Sequence, residues 1–192
     1  LGDGIGDTVK HHVYYYANGT VQDDAAAVRA EQMYLKAITL LPSPEGAKWL
    51  GAMTHYIADM GVFGHVMGAS TVWGVETHHS DYENWLNISN YNGSSTWSVC
   101  IRATTLTATS PYTATLKLAH DTTFDDTTIL DPTVKSAVWM DQHYNTASSA
   151  YQARVCESLY VTMTAIRNAL LLAFQEVPVP EFPSILIMIA TF

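Results

Sequence analysis

The sequence predicts an all-α protein, on three observations. Apolar residues recur at helical intervals from Glu45 onward and again over Ala147 to Phe174. An Ala-rich stretch of good helix formers runs from Ala25 to about Leu41. Pro42 and Pro44 divide that stretch from the next apolar pattern. In order, Asp23 or Asp24 can cap the first helix, which carries Glu31, Met33 and Leu35. The second helix presents Trp49, Leu50, Met53, Tyr56 and Ile57 on one face and ends near Gly61 or Gly64. A third carries His79 and Glu83 and ends near Asn87. Asn, Ser, Thr and Gly then dominate from Asn90 to Pro111, which reads as a long loop with short extended pieces. Thr113 to His120 and Pro132 to Gln142 read as helices. The last and longest, Ala147 to Phe174, spaces Tyr151, Val155, Leu159, Val161, Met163, Ile166, Leu170 and Ala173 as a buried central helix would. The expected architecture is an orthogonal or bundled helical domain over residues 1–176, followed by a Pro-rich linker and apolar tail at 177–192.

At 192 residues and 48% hydrophobic, the chain can bury a sizeable core, and no internal repeat or low-complexity tract divides it. Nine basic against eighteen acidic residues give a formal charge of −9. No stable nucleic-acid complex is expected from that balance, because polyanion affinity rests on Lys and Arg neutralising phosphates. A nuclease whose metal ions meet the phosphate directly stays open.

The chemistry-bearing pattern is His55-x3-Asp59-x5-His65 followed by His79-x3-Glu83. Residues four apart on a helix stack one turn above the other, so each His-carboxylate pair can close on one cation, and two pairs point to a polynuclear site. Imidazole with carboxylate suits zinc in a catalytic role, where an open coordination position holds water. Cys100 and Cys156 lie in no metal-binding spacing; they are either one disulfide joining the middle loop to the last helix or two buried thiols. Sequons at Asn18, Asn87 and Asn92 favour export and would mark exposed loops of a glycoprotein. Tyr14, Tyr15, Tyr16, Tyr82 and Trp85 are either packing or the lining of a headgroup pocket, while His120 and His143 read as surface residues.

The stretch Trp49 to Asp59, with His65 and then His79-Ser-Asp-Tyr-Glu83-Asn84, resembles the core of the zinc-dependent phospholipase C family, related to the S1/P1 nucleases. The resemblance implies an all-helical fold around two or three zinc ions. Asp59 matches the carboxylate that bridges two metals, and His65, His79 and Glu83 match the ligands of another. His12, followed by three tyrosines and the turn Asn18-Gly19-Thr20, resembles the segment that supplies a further ligand beside His55 and Asp59. The spacing to Gly19 favours His12 over His11. Family members also carry an N-terminal Trp and a nearby His on a third zinc, which have no counterpart here, so the chain reads as lacking the family's N-terminal part. Asp3 or Asp7 is the match to the family's metal-ligating Asp and general base, with Asp3 preferred; the same acidic segment equally reads as a turn or a piece of a calcium loop.

Pro180-Glu-Phe-Pro-Ser184 resembles the archaeal sorting signal built on a Pro-Glu-Phe core. The apolar run after it, Ile185 to Phe192, is far short of the about 20 residues a spanning helix needs. It reads as the start of a truncated anchor on an archaeal cell surface, or as a tail packed on its own domain or on a neighbouring subunit of a homo-oligomer. The expected function is an extracellular phosphodiester hydrolase, with phospholipid as first-choice substrate, Asp3 and Asp59 in catalytic roles, and His12, His55, Asp59, His65, His79 and Glu83 on the metals. The alternatives are an S1/P1-like nuclease, or a structural surface protein that keeps the fold for assembly.

Overall fold

A computed structural model describes residues 10–91, 97–125 and 135–176. Asp3, Asp7, the Asn92 sequon and the whole of 177–192, with the expected sorting signal and the apolar run, lie outside the described residues. The first described element is a small antiparallel hairpin, where the sequence predicts only a turn. Strand β1 (Tyr14–Tyr15) pairs with β2 (Val21–Asp23) around Asn18 and Gly19. The Asn18 Oδ1 accepts hydrogen bonds from both Thr20 N and Thr20 Oγ1, so the turn residue satisfies its own neighbour.

Helix α1 (Ala25–Ile38) follows at once. Its start is held by Asp23, whose Oδ1 accepts from Ala25 N at 2.9 Å. Asp24, the other expected cap, instead accepts from the Tyr112 hydroxyl at 2.7 Å. Helix α1 buries Ala26, Ala27, Ala30, Met33, Tyr34 and Ala37, and the small side chains let α2 (Pro44–Asp59) approach closely. Ser43 Oγ accepts from Gly46 N, Pro44 occupies the first turn and Glu45 lies at the positive end of the helix, so three local preferences agree on where α2 begins. Its buried face is Trp49, Leu50, Met53, Tyr56 and Ile57, as the apolar spacing predicts.

Beyond α2 come a 3-10 turn at Phe63–His65 and helix α3 (His79–Tyr91), which runs past the expected end near Asn87 and so takes that sequon into a helix rather than a loop. A second 3-10 turn, Ser98–Cys100, leads into an irregular stretch and then α4 (Pro111–Phe124), α5 (Ala137–Gln142) and α6 (Ser149–Glu176). Helix α4 packs between α1 and α6, and Tyr112 N donates to Glu31 Oε2 to tie its start to α1. Cys100 and Cys156 form a disulfide that fastens the second 3-10 turn to α6. The described residues thus bear out the all-α class, with one two-stranded hairpin added.

Helix α6 departs from expectation. Tyr151, Val155 and Ala173 are buried, but every residue from 159 to 168 is only half-buried. The reason is that α4 and α2 cover only part of its circumference, which leaves a groove of about 390 Å³ against α4, lined by Ala114, Leu118, Val161 and Ala165 with Thr107 and Thr164 among its polar residues. Where α6 meets the residues just after α2, Gly61 has no room for a side chain. A Cβ built there would overlap the Thr162 hydroxyl and stand 3.2 Å from Thr162 Cβ.

Among the described residues Arg154 is the most deeply buried charge. Arg154, 1% exposed, donates through Nε to the Lys135 carbonyl, through Nη1 to Ser158 Oγ and through Nη2 to the Asp121 carbonyl. The same guanidinium lies 3.0 Å from Asp125 Oδ1. Asp125 ends α4 in a left-handed conformation (φ 57°), and its Oδ2 also accepts from Lys135 N. One guanidinium therefore joins α4, α6 and the approach to α5. Replacing it with Ala removes the cation and leaves a buried acceptor set facing a void, so Arg154→Ala is expected to lower unfolding free energy by about 3–5 kcal/mol. Urea denaturation measures this as a drop in midpoint.

Candidate metal centre

The described residues contain two groups of three donor side chains, His11/His55/Asp59 and His65/His79/Glu83, in each of which the ligand atoms lie within 4.8 Å of one another. The first is built at the C-terminal end of α2. His55 and Asp59 face the same way one turn apart, with His55 Nε2 3.5 Å from Asp59 Oδ2. The Thr122 hydroxyl, on α4, donates to the Met60 carbonyl at 2.6 Å and so fixes the end of the ligand-bearing helix. The third donor comes from the segment before β1. His11 Nδ1 is 2.6 Å from the same Asp59 oxygen, and the ring stacks on buried Tyr56 with centroids 4.6 Å apart.

His11 thus stands where His12 was expected. Extended chain sends successive side chains to opposite sides. His11, buried Val13 and buried Tyr15 turn towards the helices. His12 turns outward, where Nε2 lies 3.2 Å from Asp23 Oδ2 and the ring stacks on Tyr14 at 4.4 Å. Spacing along the chain cannot tell two adjacent histidines apart; the side of the strand decides.

The second group joins the 3-10 turn at Phe63–His65 to the first two turns of α3. Rings of His65 and His79 meet edge to face with centroids 4.6 Å apart. Glu83 Oε1 lies 3.0 Å from His79 Nε2 and 3.6 Å from His65 Nε2. Behind the ligands, Phe63 and Tyr82 pack edge to face at 5.2 Å, which sets the separation of the two elements. Gly64 is required here: a Cβ on it would lie 2.6 Å from His79 Nδ1, so the ring rests directly on the backbone.

Two contacts orient these imidazoles. His65 Nδ1 is 2.6 Å from the His11 carbonyl, which can only accept, so Nδ1 carries a proton and Nε2 is the nitrogen turned to Glu83. His79 Nδ1 faces Glu76 at 3.5 Å, leaving Nε2 for Glu83. A carboxylate behind a histidine holds its ring and raises its basicity as a ligand. Glu76 was not singled out from sequence, although its position three residues before His79 is the signal that marks it. Hydrogen bonds from His65 and then His79 hold the Glu83 carboxyl well below the usual carboxylate range, against the opposing effect of burial. The His79 imidazole is pushed above its ordinary value, chiefly by its hydrogen bond to Glu83. Both shifts favour an ionised Glu83 beside a protonated His79, so a cation would compete with the proton on Nε2.

The two groups adjoin each other. His11 and His65 ring centroids are 6.4 Å apart, and Val13 N donates to the His65 carbonyl at 3.4 Å. His11 therefore serves one group with its ring and the other with its peptide oxygen. Both are open to solvent, His55 being 45% and Glu83 49% exposed. The groove between α4 and α6 contains none of the six donors. Of the remaining histidines, His143 is exposed and stacks on Trp139, whereas His120 is half-buried against Tyr15 and Phe124 rather than at the surface. Tyr15 and Tyr82 are packing residues.

Calorimetric metal titration separates the two halves. His11→Ala is expected to weaken one of two binding events by more than ~100-fold, beyond the range for groups that only orient a ligand, while His12→Ala changes neither by as much as ~10-fold. Gly64→Ala is expected to weaken the other event by displacing His79. No family model matches the chain, and neither does any curated protein or solved structure.

Proposed function

We propose that the chain is an extracellular zinc-dependent phosphodiester hydrolase of the phospholipase C kind. The observation that carries this reading is the back-to-back placement of two three-donor groups, joined through His11 and open to solvent. The donor chemistry fits zinc: four imidazoles and two carboxylates, three donors per ion, with a position left for water or substrate. Zinc bonds of about 2.0–2.2 Å are within reach of these groups by modest side-chain rotation. When bound there, zinc supplies Lewis acidity towards phosphate oxygens and lowers the pKa of water towards roughly 7.

The chain's own residues do the rest. Asp59 draws His11 and His55 to one oxygen, the His11 carbonyl and Glu76 fix the proton positions on His65 and His79, and Glu83 holds both of those rings. Asp3 is the proposed group that orients the attacking water. A helical scaffold that brings ligands from the end of one helix, a tight turn and the start of the next supports a phospholipase C/P1 nuclease-like arrangement, in keeping with the resemblance at Trp49 to Asn84.

Lipid is favoured over nucleic acid by what surrounds the site. The hairpin is bonded to the loop before α3 through Gln22 Nε2 to the Ser70 carbonyl and Trp73 Nε1 to the Tyr15 carbonyl. These two segments leave Tyr16, Val21, Val72 and Val75 from 41% to 66% exposed. Three of the nine basic side chains are engaged elsewhere: Arg154 is buried, Lys36 lies over Trp49 and Lys135 over Trp139. The Cys100–Cys156 disulfide supports an oxidising compartment and hence export.

Purified zinc-loaded protein is expected to hydrolyse phosphatidylcholine and to leave single-stranded DNA intact. Chelation, or Asp59→Ala with the fold retained by circular dichroism, is expected to cut turnover roughly 100-fold or more. Cleavage of DNA without lipid hydrolysis would move the substrate to the nuclease side. Bound zinc with turnover on neither would favour the surface scaffold.

A further inference from the structure

The second donor group depends on where α3 begins. His79 is its first residue, and Glu83 stands one turn later. A helix rises about 1.5 Å per residue, whereas metal–ligand distances tolerate about ±0.2 Å, so a small slip of the helix start would misplace both donors. The N–H groups entering α3 have no partner within the helix, and such groups are ordinarily met by a capping side chain just before it.

Here the acceptor comes from α5. Asp141, only 6% exposed, accepts from Thr77 N at 2.8 Å and His78 N at 2.9 Å through a single oxygen, Oδ1. The Thr77 hydroxyl, one residue outside the cap position, donates to Asp141 Oδ2 at 3.1 Å. His78 Nδ1 stands 3.4 Å from Oδ1, with its ring stacked on Tyr144 at 4.9 Å. A carboxylate at this end of α3 also meets the positive pole of the helix. Helix α5 packs at the same time against the 3-10 turn that carries His65. One short helix therefore touches both walls of the second donor group, and its single buried carboxylate grips one of them by the backbone.

We infer that Asp141 is a positioning residue for the second metal: it fixes the start of α3 against the Phe63–His65 turn and so sets the gap between His65 and the His79–Glu83 pair. The inference rests on the metal-centre reading but not on hydrolysis, and its test reads metal alone. Zn2+ competition against a chromophoric chelator gives affinities, and Co2+ absorption reports the geometry of each ion. Asp141→Ala is expected to weaken the second ion by about 10–100-fold, with loss of its Co2+ band, while the first ion keeps wild-type affinity. Asp141→Asn retains an oxygen for both N–H groups and is expected to restore most of that affinity. Wild-type affinity for both ions in Asp141→Ala would overturn the proposal, as would equal weakening of both ions in the Ala and Asn variants, which marks a general role in stability. A wild-type protein that takes up only one ion would overturn it as well. Two tightly bound ions without phosphodiesterase turnover would instead sink the functional reading and leave this one standing.

Discussion

The crossing of the 11–13 segment over His65 is the contact on which the centre depends. Two bonds make it, His65 Nδ1 to the His11 carbonyl and Val13 N to the His65 carbonyl. They join parts of the chain 54 residues apart for the first of these bonds. Geometry then does the rest: once His11 is pinned by its peptide group, its ring can only lie on Tyr56 and reach Asp59. The next residues continue the same anchoring, since Ala26 N donates to the His12 carbonyl and thereby ties the start of α1 to the strand. A backbone interaction therefore does two jobs at once, completing one donor group and orienting the other.

The helices serve this crossing from behind. The α1–α2 pair makes the most extensive contact between two described elements, through alanines that let the backbones approach and through Met53, Tyr56 and Ile57, all fully buried. On the other side Tyr151, also fully buried, collects the rings of Trp85, Trp139 and Tyr144, so that α3, α5 and α6 share one aromatic junction. The donors themselves lie at the edge of both clusters, where side chains can remain partly wet. Burial would make four imidazoles and two carboxylates costly without an ion; the rim position keeps that cost small.

Much of this was legible in the residues. His55 with Asp59 and His79 with Glu83 declare themselves because a helix converts a spacing of four into a shared face, and the apolar repeat of α2 fixes which face is out. His65 follows from proximity to them. Spacing favours His12, but adjacent residues in extended chain differ only in the side they take, and the structure places His11, stacked on Tyr56 far along the sequence, with His55 and Asp59. The hairpin escaped notice because strands of two and three residues offer no period to read. Asp141 left no trace at all, since its partners lie 63 and 64 positions away and no helical spacing connects them. The breadth of α6's exposure was hidden for a related reason: an apolar repeat reports which side of a helix wants cover, not how much cover the other helices provide.

Gly61 carries a consequence for α6, a helix without a single donor. Because Gly61, just past the end of α2, has no side chain, the Thr162 hydroxyl of α6 sits against its bare backbone. A larger residue at 61, two residues beyond the end of the helix that carries His55 and Asp59, would press on the Thr162 side chain. The helix end that carries the first candidate donor group is thus seated against α6 through a position with no side chain of its own.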